Sequence, residues 1–147
     1  MSGTVEFESM PRFMGELASP QGQVQAEVRG SVVDGECYLE ISLEAEPTVV
    51  CQRCLKPQQL NLALDARLLL VAPGQPMPDD ELEDDSFDPV LADRNLDMLA
   101  IIEDELLLGL PISPRHDVCD TPQPRERDDS ESPFAALANL RGAGKKR

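Results

Sequence analysis

The feature that most constrains the fold is a stretch of alternation that doubles back on itself. Residues 24–45 read VQAEVRGSVVDGECYLEISLEA. In the first half Val24, Ala26 and Val28 alternate with polar neighbours, a period that puts one set of side chains on one face of a strand. The run stops at Asp34-Gly35, a pair suited to the tight turn of a β-hairpin. The second half alternates again, with Cys37, Leu39, Ile41 and Leu43 on one face and Tyr38, Glu40, Ser42 and Glu44 on the other. This pattern predicts that Cys37 points into the core. TVVC (48–51) continues extended, and LNLALDARLLLV (60–71) returns to period two through Leu60, Leu62 and Leu64. Residues 1 to about 72 therefore read as strands of an antiparallel sheet, with CQRC (51–54) at a turn between two of them. Aromatic residues are only 3% of the chain, with no Trp and one Tyr, so the core has to be aliphatic.

The period changes at residues 96–110, LDMLAIIEDELLLGL. Leu96, Leu99, Ile102, Leu106 and Leu110 fall near helical spacing, Asn95 or Asp97 can cap the start, and Gly109 with Pro111 ends it. Glu103, Asp104 and Glu105 interrupt the apolar run together. Successive helical residues are turned by about 100°, so three in a row cannot share a face. One of the three must border the buried stripe, and a solvated acidic face is favoured over an acid–base site. Between sheet and helix, residues 73–95 carry four prolines, and seven acids fall within 79–88, which predicts a solvated acidic loop. The fold class expected is α+β: an antiparallel sheet with one packed helix, an acidic loop and a flexible C-terminal tail. Residues 1–119 are read as one domain containing that loop. Residues 120–147 are read as a disordered linker with a short terminal helix at PFAALANLR (133–141) and a basic end.

Formal net charge is −15, and Arg141, Lys145, Lys146 and Arg147 put +4 into the last seven residues. Contact with a polyanion therefore needs a local basic patch or that tail. The opening MSGTVEFESM has no apolar run of a secretory signal, and no stretch is apolar enough to span a membrane. The expectation is a cytoplasmic protein whose four cysteines are reduced thiols or metal ligands.

Three chemistries compete for CQRCLKP (51–57). Cys51 and Cys54, with His116 and Cys119 of PISPRHDVC (111–119), make a Cys3His set of the kind that holds structural zinc. The 61 residues between Cys54 and His116 demand that the fold bring the two pairs together. The bland alternative is two thiols in a turn and a surface histidine. A dithiol redox pair is a second reading, weakened because such pairs sit at a helix N-terminus and this one reads strand to strand. Contact with nucleic acid through Arg53, Lys56 and Arg115 is a third, set against simple neutralisation of nearby carboxylates. Gly-rich phosphate loops, Ser-His-Asp patterns and nuclease-like carboxylate pairs are not found.

CQRCLKP, LDMLAIIEDELLLGLPISPRHDVC and PFAALANLR occur in that order along the chain. With these three stretches the chain resembles the bacterial YceD family, the large ribosomal RNA subunit accumulation proteins. The resemblance implies a non-catalytic factor needed for accumulation or processing of 23S ribosomal RNA, not an enzyme. It carries over to Cys51, Gln52, Arg53 and Cys54, to Glu103, Asp104 and Glu105, and to Pro111, Pro114 and His116. Some relatives carry a richer cysteine cluster after the LP..P segment, which supports zinc at Cys51, Cys54, His116 and Cys119. Implied partners are 23S rRNA or a pre-50S particle, met directly or through a protein, with no membrane and no small-molecule substrate. Arg53, Lys56 and Arg115 are the expected contact residues, with Phe134, Leu137 and Leu140 as a terminal docking motif. Alternatives from other classes are a zinc-ribbon-like adaptor unrelated to ribosomes and a dithiol oxidoreductase.

Overall fold

The computed structural model describes residues 1–78, 86–92 and 94–119. Five strands form the main sheet in the order β1 (Ser2–Glu6), β2 (Gln23–Val33), β3 (Glu36–Ala45), β6 (Leu62–Val71), β7 (Asp88–Leu91). A separate two-stranded sheet pairs β4 (Thr48–Val50) with β5 (Pro57–Gln59). Among the described residues two α-helices accompany the sheets, α1 (Pro11–Glu16) and α2 (Met98–Gly109). The class is α+β, as the periodicities predict.

The hairpin forms where the alternation puts it. Val33 pairs with Glu36 across Asp34-Gly35, and both turn residues take positive φ. β3 then pairs antiparallel with β6, Leu43 opposite Leu64. One face of these strands meets the helices, and Val24, Ile41, Leu43, Leu68, Ile102 and Leu106 meet in the core.

Three expectations change. Residues 1–22 are not all strand. Phe7–Ser9 forms a 3-10 turn and Pro11 opens α1 at its first position, where the missing N–H of proline costs nothing. Phe7, Met10 and Phe13, spaced by three, are fully buried there, with the two rings edge to face at 5.3 Å. Gly22, at φ +134°, passes so close to the Phe7 ring that a Cβ would overlap it. Second, the sheet is mixed, since β7 runs parallel to β6 and rises from a segment read as loop. Residues 79–85 of that acidic stretch lie outside the described residues, as does the 120–147 tail. Third, Cys37 is exposed, and its neighbour Tyr38 is buried instead. The hairpin outruns the helices at this end. Val32, paired with Cys37, is 70% exposed, whereas Phe87 covers Tyr38, Leu69 and Val71 on the opposite face. Arg67 lies over the Tyr38 ring, 4.2 Å from its centre.

α2 starts at Asp97, whose carboxylate accepts from the N–H groups of Leu99 and Ala100 at 3.0 and 3.2 Å. Of the three acids it is Glu103 that enters the buried stripe. Its Oε1 accepts from the N–H of Arg12 (2.6 Å) and Phe13 (3.1 Å), and its Oε2 accepts from the Arg12 guanidinium (2.8 Å). The acid thus caps α1 and ties it to α2. Asp104, exposed, takes the other side of the same guanidinium at 2.6 Å. At the far end Gly109 lies against Leu64 with no room for a Cβ. The chain then leaves α2 in an extended strap, residues 111–119, aimed at the small sheet.

Candidate metal centre

The β4–β5 hairpin is held to the body of the fold by the backbone. Ala18 N–H donates to Thr48 O (2.7 Å), Leu60 N–H donates to Pro47 O (2.9 Å), and Leu17 bridges to Val49. Its turn is CQRCLK. Leu55 N–H donates to Cys51 O at 2.9 Å, and Cys51 N–H donates to Lys56 O at 3.0 Å. Closing the turn this way puts Leu55 in the left-handed region, φ +61°, which a leucine reaches only at a cost.

The 111–119 strap lies alongside this turn. Gln52 N–H donates to Pro114 O (2.8 Å), and Gln58 Nε2 donates to Arg115 O (2.9 Å). These bonds bring His116 and Cys119 onto Cys51 and Cys54. The three sulfurs and one imidazole nitrogen all lie within 4.8 Å of one another. Cys54 Sγ is 3.4 Å from His116 Nδ1, and Cys51 Sγ is 4.0 Å from Cys119 Sγ. A tetrahedral zinc with Zn–S near 2.3 Å and Zn–N near 2.05 Å separates its ligands by about 3.8 Å (S to S) and about 3.5 Å (S to N). The observed separations fit that ion without rebuilding the straps. The imidazole is oriented for the task. His116 Nε2 lies 3.2 Å from Pro57 O, which can only accept, so Nε2 carries the proton and Nδ1 keeps its lone pair toward the sulfurs.

The surroundings of the cluster push the Cys51 and Cys119 thiols in opposite directions. Burial opposes ionisation of Cys51, but the N–H groups of Cys54, His116 and Arg53 aimed at its sulfur, with the Cys54 thiol, outweigh it and lower the thiol to about 5. Cys119 goes the other way, to about 11, through burial first and then through the neighbouring sulfurs of Cys54 and Cys51. Several thiolates can ionise side by side only with a cation among them.

Around this centre stand the cations singled out from sequence. Arg53 lies between the first two ligands, Lys56 two residues after Cys54, and Arg115 immediately before His116, and all three are exposed. Arg115 Nε donates to Ser113 Oγ at 3.2 Å. Phe134, Leu137 and Leu140 lie outside the described residues. Sequence reasoning missed Pro57, whose main-chain oxygen meets His116, and Gln58, whose side-chain amide holds the Arg115 carbonyl; Gln52 was named with the CQRC stretch, but its main-chain bond to Pro114 was not foreseen. It also missed Arg12 as the partner of Glu103, 91 residues away in the chain.

This is an α+β domain in which two straps, each offering two candidate ligands, converge on one point that could hold a metal ion. Residues 39–141 match the family model described as large ribosomal RNA subunit accumulation protein YceD, and the chain belongs to that family. A curated relative, the large ribosomal RNA subunit accumulation protein YceD of Haemophilus influenzae, is 28% identical over 124 residues, covering 75% of this chain. The chain spans 65% of that relative's length. No solved structure matches. Among the described residues, no helix is long and apolar enough to cross a membrane.

Proposed function

We propose that this chain is a non-catalytic factor of large-subunit biogenesis in the cytoplasm, supporting accumulation of 23S rRNA by binding a pre-50S particle. The strap face carrying Arg53, Lys56 and Arg115 is the contact surface, and one zinc ion on Cys51, Cys54, His116 and Cys119 holds it. The observation that carries this reading is the convergence of the family's CQRC and PRHDVC stretches on one cluster, bordered by three exposed cations in a chain of net charge −15. Zinc here is structural. It would neutralise the thiolates and lock the second strap onto the hairpin, while the chain's own side chains make the contacts.

Two measurements test the reading. Depleting the protein lowers the ratio of 23S to 16S rRNA, and a variant with Arg53, Lys56 and Arg115 all changed to Glu fails to restore it while keeping its metal. An unchanged ratio on depletion favours the rival reading, a zinc-ribbon-like adaptor unrelated to ribosomes. Elemental analysis of protein purified without chelator gives close to one zinc per chain, and Cys51→Ser loses most of it. Metal far below one equivalent and indifferent to Cys51→Ser refutes the zinc assignment.

A further inference from the structure

The end of the fold that carries the metal straps also leaves large apolar side chains in solvent. Val50, Leu55, Leu108, Ile112 and Val118 are 37, 67, 79, 104 and 92% exposed. They come from four neighbouring pieces: β4, the CQRC turn, the end of α2 and the strap. Beside them runs an open groove of about 290 Å³, whose apolar wall is Val49, Val50, Leu107, Leu110, Pro111 and Ile112. Its volume falls just below the ~300–1,000 Å³ range of small-molecule pockets, which suits a few inserted side chains better than an enclosed ligand. Apolar surface of this kind, rimmed by charge, marks a docking site.

The chain itself supplies a matching occupant, in the matching order. The described residues end at Cys119, a member of the metal cluster on the same strap as Ile112. The next thirteen residues, DTPQPRERDDSES (120–132), hold five acids against two arginines, a charge opposite to that of Arg53, Lys56 and Arg115 beside the cluster. Then comes PFAALANLR, with Phe134, Leu137 and Leu140 at three-residue spacing. Thirteen residues reach at most about 45 Å, which is ample for a groove on the neighbouring face. A tether of that length holds its end at about millimolar local concentration.

We propose that residues 133–141 are the occupant of this groove: Phe134, Leu137 and Leu140 seat against Val50, Leu107, Leu110 and Ile112, and the acidic stretch before them lies over the cationic straps. The groove and its occupant stand independently of the reading given under Proposed function.

The test uses the full-length, zinc-loaded chain with a photoreactive benzoylphenylalanine in place of Phe134. Irradiation gives cross-links within one chain to residues 107–114, and Ile112→Asp lowers their yield about ten-fold or more, the loss expected when an isoleucine contact is replaced by a charge. In the unlabelled protein, Phe134→Ser with Leu137→Ser moves the methyl resonances of Ile112, Leu107 and Val50. Those of Ile41 and Leu68 in the core stay in place, which shows that the fold is intact. Cross-links that join two chains assign the groove to a second copy and overturn the proposal. So do cross-links that avoid residues 107–114, or groove methyls that ignore the double substitution. None of these readouts depends on 23S rRNA, so the two proposals fail separately.

Discussion

Glu103→Ala removes the group that joins the two helices, and its cost can be worked from the contacts. The Glu103 side chain is 7% exposed and accepts from two backbone N–H groups of α1 and from the Arg12 guanidinium. A hydrogen bond to a charged group contributes about 1.5–3 kcal/mol. Two of these donors, the N–H groups of Arg12 and Phe13, are left without an acceptor by the substitution. The half-exposed Arg12 guanidinium keeps Asp104 and solvent, so the cost comes from the two orphaned N–H groups, at about 1–3 kcal/mol each, and we expect Glu103→Ala to lose about 2–4 kcal/mol. Glu103→Gln keeps an oxygen for the two N–H groups but turns an amide N–H₂ toward the guanidinium, so its cost is lower, about 1–2 kcal/mol. Urea denaturation followed by circular dichroism measures both, as a lower midpoint at unchanged slope. A loss below about 1 kcal/mol for Glu103→Ala would falsify the assignment of Glu103 as the clamp between α1 and α2. The pH dependence gives an independent check. Burial pushes the Glu103 carboxyl up, but the Phe13 N–H and the Arg12 guanidinium and N–H outweigh it and hold it below the ordinary range. A carboxylate with a depressed folded-state pKa stabilises fully above its unfolded value, about 4.3, and loses that contribution as pH falls through the folded value. The wild-type advantage over Glu103→Gln is therefore full at neutral pH and shrinks only below about pH 4.

Two further predictions concern the straps. Leu55→Gly relieves the left-handed backbone at φ +61° and raises the stability of the zinc-loaded protein by about 0.5–1 kcal/mol, after the entropy that glycine adds to the unfolded chain. A lower melting temperature would mean that the exposed Leu55 side chain contributes more than its backbone costs. In the metal-free chain, thiolate absorbance rises in a first step near pH 5 that belongs to Cys51, whereas Cys119 ionises only near 11. Cys51→Ser abolishes the early step, and a single rise near the ordinary thiol value of about 8.5 contradicts the N–H cradle around Cys51.

The hairpin, the helix with its Asp97 cap and the turn position of CQRC were legible because each is written in a local period or a local cap. Cys37 shows where that logic stops. Alternation assigned it to the correct face of β3, but whether a face is buried depends on what covers it, and the helices do not reach that end. α1 was hidden for a related reason. Phe7, Met10 and Phe13 lie on a segment too short for a period to emerge, and its capping group is the carboxylate of Glu103 on another helix. β7 was lost inside an acidic, proline-rich stretch whose composition says loop, although its pairing with β6 depends on main-chain groups that composition does not describe.

By itself the sequence determined the α+β class, the candidate ligand types and the cations beside them, because thiols, imidazole and charge are properties of residues and two-residue spacing is a property of turns. Only the tertiary structure decided that the two ligand pairs meet. The 61 residues between Cys54 and His116 leave their separation open until β6 and α2 fold back and the Gln52 main-chain N–H and the Gln58 side-chain amide dock the strap. Closing so long a loop has an entropic cost that the strap contacts and the core must offset together. No local pattern records that balance, and the site exists only once the whole domain has formed.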